Sequence, residues 1–384
     1  MNFLRLSVRN CTIAALCATI IGCGDGDGSV EFDRGKNAYE LGDLKKAEKC
    51  FAASIEAAPQ EVDRLIYLAR VKLDLGELAE SRQLIERAEM IDGDAADVRM
   101  LSAQVACHSK DYKKAAEIFL KIANDANLDS VIRSQAFAGL GVVEMSCENL
   151  HLARIDFLRA LRLDRRNASA YYHLGLLYRD GLDRNGSGYY EAALEQLEMF
   201  VRLNEDSDPR IQKVQKTIIP GIKEMIAQAT ASRPGAAKRD SAACATLIAQ
   251  AEADFKKGAF KSARKNYAAA LAADPLSDRA ALNLAKCWEK TDATKDGQLK
   301  ALECYQTVCV LRPSATVIFL TTGNLAMKLG KYALASEIYS RAIAANPTSK
   351  DAIDGLIRAL QKLGNRTSVA RAYQAYRDSL STRK

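Results

Sequence analysis

Proline and glycine are scarce, at 7 and 22 of 384 residues. That is too few to punctuate the many short turns of a β-sandwich or to supply a collagen period. Histidine is scarcer still: His108, His151 and His173 are the whole supply, each inside a separate helical pattern, and this argues for packing histidines over a catalytic or metal cluster. No Gly-x-x-x-x-Gly-Lys-Ser/Thr phosphate loop, no Gly-x-Gly-x-x-Gly after a strand and no His-Glu-x-x-His occurs. Long apolar runs are also missing. The longest, Cys11 to Ile21, has about half the length a bilayer-crossing helix needs. What is abundant is Ala, Leu, Lys and Glu in a chain 48% hydrophobic and 27% charged, the composition of a water-exposed, all-α protein.

The apolar run follows Arg5 and Arg9 and ends in Ile20-Ile21-Gly22-Cys23. A charged start, a short apolar core and a small residue before cysteine resemble the lipobox of bacterial lipoprotein signal peptides. The resemblance implies removal of residues 1–22 and diacylation of Cys23, whose thiolate is the strong nucleophile such chemistry requires. Residues 23–29, rich in Gly and Asp, then form a flexible tether. Gly24, standing where an Asp would redirect sorting, implies a lipid-anchored protein of the bacterial envelope, on the outer membrane and facing the periplasm.

Self-similarity organises the rest. Leu41-Gly42-Asp43-Leu44 recurs as Leu75-Gly76-Glu77-Leu78 and again as Ser109-Lys110-Asp111-Tyr112, a spacing of 34 residues. Before each turn stands a small residue (Gly35, Ala69, Ala103), and after it come another small one (Ala47, Ser81, Ala115) and a bulky one (Phe51, Ile85, Phe119). Two helices joined by a tight turn approach closely where small side chains face each other, and the bulky residue fills the gap to the next pair. This pattern resembles the tetratricopeptide repeat.

Extending the count places five repeats over 30–205 and four over 243–384. The expected fold is an α-solenoid of about nine helix hairpins in two arrays. A capping helix over 206–229, kinked at Pro220, and a linker over 230–242 join them. The fifth repeat carries a lengthened turn through 183–188, and the ninth departs from the pattern with Ile357 and Val369 at its two small positions. Nine units use up most of the chain, leaving no room for a catalytic domain, so we expect neither enzyme activity nor a cofactor. Beyond Cys11, Cys17 and Cys23, the seven remaining cysteines are odd in number and lack Cys-x-x-Cys spacing, as suits buried free thiols. A bridge from Cys287 to Cys304 or Cys309 is the one local pairing to check.

Charge divides the chain. Residues 23–230 carry a net −7 and residues 231–384 a net +12, a field that steers acidic partners to the second array. The family resemblance implies that grooves are lined by fixed positions of each first helix. In the second array these are Lys256, Arg279, Lys286, Lys290, Lys328, Arg358 and Lys362, interspersed with Phe255, Asn324 and Met327, a basic groove. In the first array Phe32, Tyr39, Ile66, Leu73, Met100 and Tyr172, together with Arg70, Met145 and Arg179, form an apolar and aromatic channel suited to an amphipathic or extended peptide. Leu282 stands where the carboxylate clamp of chaperone-binding members needs Lys, so that clamp is not expected. The implied role is a scaffold or adaptor for envelope proteins, similar in plan to lipoproteins that assist pilus secretins or outer-membrane barrels. An adaptor that regulates a peptidoglycan synthase or hydrolase is the other reading. Nucleic acid is not an expected partner, since stacking aromatics are sparse on the basic face.

Overall fold

The computed structural model describes residues 27–182, 189–204, 209–231, 239–364 and 366–381. The expected signal peptide at 1–22, Cys23, most of the expected tether, residues 183–188 and the middle of the expected linker lie outside the described residues. Among the described residues all regular structure is helical. The chain divides into two compact units, Met1–Leu174 with Met199–Ile211, and Gly175–Glu198 with Gln212–Lys384.

In the first unit, helices α1 (Ser29–Glu40), α2 (Leu44–Ala57), α3 (Val62–Leu75), α4 (Leu78–Asp92), α5 (Ala96–His108), α6 (Tyr112–Asn124), α7 (Ser130–Ser146) and α8 (Leu150–Leu163) each pack on the helix before and after. Next come α9 (Ala168–Asp180), α10 (Tyr190–Leu203) and α11 (Pro209–Lys213), each of which is shared between the units. The second unit continues with α12 (Ile219–Ala231), α13 (Ser241–Lys256), α14 (Phe260–Ala273), α15 (Asp278–Thr291), α16 (Lys295–Leu311), α17 (Thr316–Lys328), α18 (Tyr332–Ala345), α19 (Lys350–Leu363) and α20 (Thr367–Ser379). From α13 to α20, too, each helix contacts the next. Short connections force neighbours to run antiparallel, so each unit is a stack of hairpins of the α-solenoid class.

The repeated turns explain why the hairpins form where they do. Most reverse the chain through one residue in the left-handed region, as at Gly42 with φ 78° and Gly76 with φ 85°. Asp43 and Asp111 then cap α2 and α6 by accepting the backbone N–H of Lys46 and Lys114, both at 3.1 Å. Lys110 and Glu148 take the same left-handed geometry without being glycine, at φ 62° and 59°.

The small-against-bulky rule is visible in the eighth and ninth repeats. Tyr339 of α18 is fully buried, and its hydroxyl donates to Asn324 Oδ1 at 2.6 Å. A Cβ on Gly323 of α17 would lie 2.7 Å from its Cε1, and one on Gly355 of α19 would lie 2.4 Å from the same atom. The ring is therefore clasped between two helices that have no side chain at the contact. Ile357, the departure noted in the ninth repeat, is itself buried, while Gly355 two residues earlier faces Tyr339 of the preceding repeat.

The helix expected to kink at Pro220 carries a π-helical turn just before the proline. Its ring would collide with the carbonyl four residues back, and the chain instead widens into a π-helical turn over Val214–Ile218, where the Ile219 N–H donates to Val214 O. Val214, Ile218 and Ile222 are buried.

The seven described cysteines are all free thiols. The bridge considered from Cys287 is not formed. Cys287 is buried, and Cys309 sits 3.3 Å from Thr322 Oγ1 in the next helix. Burial pushes the thiols of Cys107, Cys287, Cys304 and Cys309 up to about 11, which keeps them protonated and unreactive.

Candidate functional site

The first helices of the second unit, α13, α15, α17 and α19, carry the seven cations marked from the sequence. Antiparallel stacking puts these helices in register, and the cations sort by height along them. Lys256, Lys290, Lys328 and Lys362 each stand in the last turn of their helix, one per repeat. A positive charge there meets the negative end of the helix dipole, which explains its local tolerance. All four are exposed and make no ion pair among the described residues; Lys290 Nζ instead lies 5.2 Å from the centre of the Phe260 ring.

The other three differ in what they are free to do. Lys286, mid-helix on α15, is exposed and unpaired among the described residues. Arg279, at the start of α15, is committed to Glu252 of α13 through Nε at 2.8 Å and Nη2 at 2.6 Å, which ties neighbouring repeats together. Arg358 lines a shallow cavity of about 200 Å³ with Leu320, Asn324, Asp351 and Asp354, so two carboxylates already stand near its charge. Arg279 is held by a carboxylate, whereas the five lysines and the exposed Arg358 make no ion pair among the described residues.

Four lysines outside the marked set extend this cationic surface around the turns. Lys257 caps the end of α13, Lys261 lies in the first turn of α14, Lys295 begins α16 and Lys331 caps the start of α18. For Lys257, Lys261 and Lys331 the signal in the sequence is proximity to the turn glycines Gly258 and Gly330, which a count of groove positions alone passes over.

The apolar channel expected in the first unit is largely consumed by packing. Ile66 and Met100 are each only 4% exposed, which corrects their assignment as groove-lining surface: neighbouring helices take them into the core. Phe32 packs against Phe51 and Tyr67, with ring centres 5.6 and 5.3 Å away. The Tyr39 hydroxyl donates to Asp74 Oδ2 at 2.7 Å, and Leu73 is half-buried on the same core. Tyr172 faces Phe200 and lies 4.9 Å under the Arg210 guanidinium. Phe32, Tyr39, Leu73 and Tyr172 retain partial exposure.

Titratable groups in the first unit serve structure. Lys72 Nζ gathers Glu48 at 2.7 Å, Glu77 at 2.6 Å and the Glu80 carboxylate, and these hydrogen bonds outweigh desolvation and raise its pKa. His173 is buried against the Phe157 ring, and desolvation, with Arg210 adding to it, lowers its pKa to about 3. Such an imidazole stays neutral at physiological pH. His151 is also buried, and His108 is bound through Nδ1 to the Gln104 carbonyl at 2.9 Å. Among the described residues no group of His, Cys, Asp and Glu could hold a metal ion, and no helix is long and apolar enough to cross a membrane.

Stacked hairpins with cationic helix ends define a helical-repeat protein that presents charged surfaces. Models of the tetratricopeptide repeat match residues 38–105, 248–296 and 319–349. No enzyme family is indicated by these matches. The chain is also 23% identical over 271 residues to Hsp70-Hsp90 organizing protein 3 of Arabidopsis thaliana, covering 67% of this chain. It spans only 44% of that relative's length. Among solved structures it is similar to pilF of Pseudomonas aeruginosa, with 19% identity, TM-score 0.40, and 54% of this chain and 94% of the other covered. It is similar also to the P58(IPK) tetratricopeptide domain, with 15% identity, TM-score 0.24, and 89% and 99% covered.

Proposed function

We propose that this protein is a non-enzymatic scaffold or adaptor, anchored through acylated Cys23 to the bacterial outer membrane on its periplasmic side, that takes an acidic envelope protein on its second unit. Tetratricopeptide repeats serve protein binding, and the observation that carries the reading is the set of exposed lysines on successive first helices that make no ion pair among the described residues: Lys256, Lys286, Lys290, Lys328 and Lys362. Arg279 and Arg358 stand in the same groove and shape it through their own carboxylate neighbours. In the first unit, Phe32, Tyr39, Leu73 and Tyr172 offer the remaining apolar surface for a peptide. Assembly of an envelope complex, such as a pilus secretin or an outer-membrane barrel, is the role this plan would serve.

Reversing Lys286, Lys290 and Lys328 together to Glu tests the groove. Capture of the envelope partner found by in-cell crosslinking should fall sharply at low salt while the far-UV helix signal stays unchanged. Unchanged capture would remove the basic groove from the account. Cys23→Ser tests the anchor: the protein should leave the membrane fraction and lose acyl labelling, and unaltered fractionation would refute lipidation.

A further inference from the structure

Consecutive helices of the second unit run antiparallel, so the turns that follow α13, α15, α17 and α19 share one edge and the turns that follow α14, α16 and α18 share the other. Charge is managed differently on the two. On the second edge the cations are mostly arginines locked to carboxylates: Arg239 to Asp274 at 2.8 Å, Arg312 to Asp278, Arg279 to Glu252 and Arg377 to Asp354 at 3.0 Å. On the first edge stand Lys256, Lys257, Lys261, Lys290, Lys295, Lys328, Lys331 and Lys362, all exposed and none in an ion pair among the described residues. The acids nearby are already engaged. Asp254 accepts from Ser262 and Asn266, Glu289 from the Tyr305 hydroxyl, Asp292 from Thr294, and Asp296 from Lys300.

Helix stability accounts for the lysines at helix ends but not for three of the row. Lys261, Lys295 and Lys331 sit at the starts of α14, α16 and α18, where the dipole end is positive and a cation is locally unfavourable. The four edge lysines outside the protein-binding groove, Lys257, Lys261, Lys295 and Lys331, have no large exposed apolar side chain beside them: those of this unit, Met225, Val310 and Val317, are not at these turns. A lysine is a hydrated point charge on a flexible stem. It reads the amount of negative charge facing it rather than the geometry of one carboxylate. A row of such charges spread over four repeats matches a broad anionic surface, and roughly four to eight basic residues in a cluster suffice to hold a protein on anionic lipid.

We propose that this lysine edge docks the second unit on a bilayer of anionic phospholipid. Each lysine brought to the surface adds about fivefold to the partition constant at moderate salt. The contact is independent of the anchor proposed above, so the full chain carrying Cys23→Ser, which cannot be acylated, is the test protein. Its co-sedimentation is measured with vesicles of phosphatidylcholine alone and with vesicles containing phosphatidylglycerol. The substitutions used are Lys257→Gln, Lys261→Gln, Lys295→Gln and Lys331→Gln, which lie outside the protein-binding groove.

The chain should bind the phosphatidylglycerol vesicles and not the neutral ones, and high salt should release it. The quadruple variant should lose about 100-fold or more in partition. Replacing the same four lysines with Arg should keep binding near the starting level, which separates charge from any folding defect. Trp288, the single tryptophan, reports through its fluorescence that the second unit is intact in each variant. Equal sedimentation with both vesicle types, or undiminished binding by the glutamine variant, would overturn the proposal. So would binding to a soluble polyglutamate peptide that is lost in the quadruple variant while vesicle binding is absent. Failure of the groove triple variant to lose its partner would refute the scaffold reading and leave this one standing.

Discussion

Gly355→Ala should destabilise the second unit even though alanine is the better helix former. The added methyl would lie 2.4 Å from Tyr339 Cε1, where ordinary carbon contacts begin near 3.5 Å, so the ring must retreat by roughly 1 Å. It has nowhere to go. Gly323 on the far side is already so close that its own Cβ would stand 2.7 Å away, and the hydroxyl is held by Asn324 at 2.6 Å. Overpacking of this kind costs about 1–3 kcal/mol, against a propensity gain of up to about 1 kcal/mol from replacing glycine. The net loss is about 1–2 kcal/mol, or a drop of several degrees in Tm for a unit of this size. Thermal melting followed by circular dichroism and by Trp288 fluorescence measures it. In a Tyr339→Leu background, where the shorter side chain leaves room, the same substitution should become neutral or stabilising. A higher Tm for Gly355→Ala alone would refute the clasped-ring packing and, with it, the register of the last two repeats.

Lys110→Gly should stabilise the first unit by about 0.5–1 kcal/mol, because it relieves a left-handed residue at φ 62° at the turn position that Gly42 and Gly76 occupy elsewhere; a loss of stability in urea titration would contradict this. Asp156 is 5% exposed, and burial raises its pKa to about 7, with Arg159 opposing and Glu144 adding to the rise. The folded state therefore holds a proton that the unfolded chain has released above its ordinary 3.8, so this group withdraws stability as pH climbs from about 4 to about 7 and withdraws no more beyond that. Asp156→Asn should gain on the wild type across that window, by about 1–3 kcal/mol at its upper end, and a pH-independent difference in urea unfolding would show the carboxyl to be ionised throughout.

The hairpin plan was legible because it rests on local constraints that recur in register. Gly42 and Gly76 mark turns that reverse through a left-handed residue, and Phe51 and Phe119 are fully buried at the positions the spacing assigns them. Where another residue type took over a role, the pattern blurred. Lys110 and Glu148 adopt the glycine geometry without being glycine, and Gly355 makes room for Tyr339 at a position outside the spacing rule. The binding surfaces were less legible. A groove position says which way a side chain leaves its own helix, whereas burial depends on how closely the neighbouring helix approaches, and Ile66 and Met100 are covered for that reason. Pairing is likewise invisible along the chain. Arg279 and Lys286 look alike in sequence, and only the fold places Glu252 of the preceding repeat beside the first and no acid beside the second. The free thiols follow the same logic: Cys287 and Cys309 are close in sequence, but they serve as small buried residues in separate helix contacts.

Hydrogen exchange on a chain carrying Leu360→Ala tests the serial architecture most directly. Leu360 is fully buried in α19, and its truncation costs about 2–5 kcal/mol. If stability is built from contacts between neighbouring hairpins, amide exchange should accelerate in α17 to α20 and stay at wild-type rates in α1 to α6. Acceleration of equal size through α1 to α6 would mean that one cooperative core spans the chain, and would contradict the stacked-repeat account.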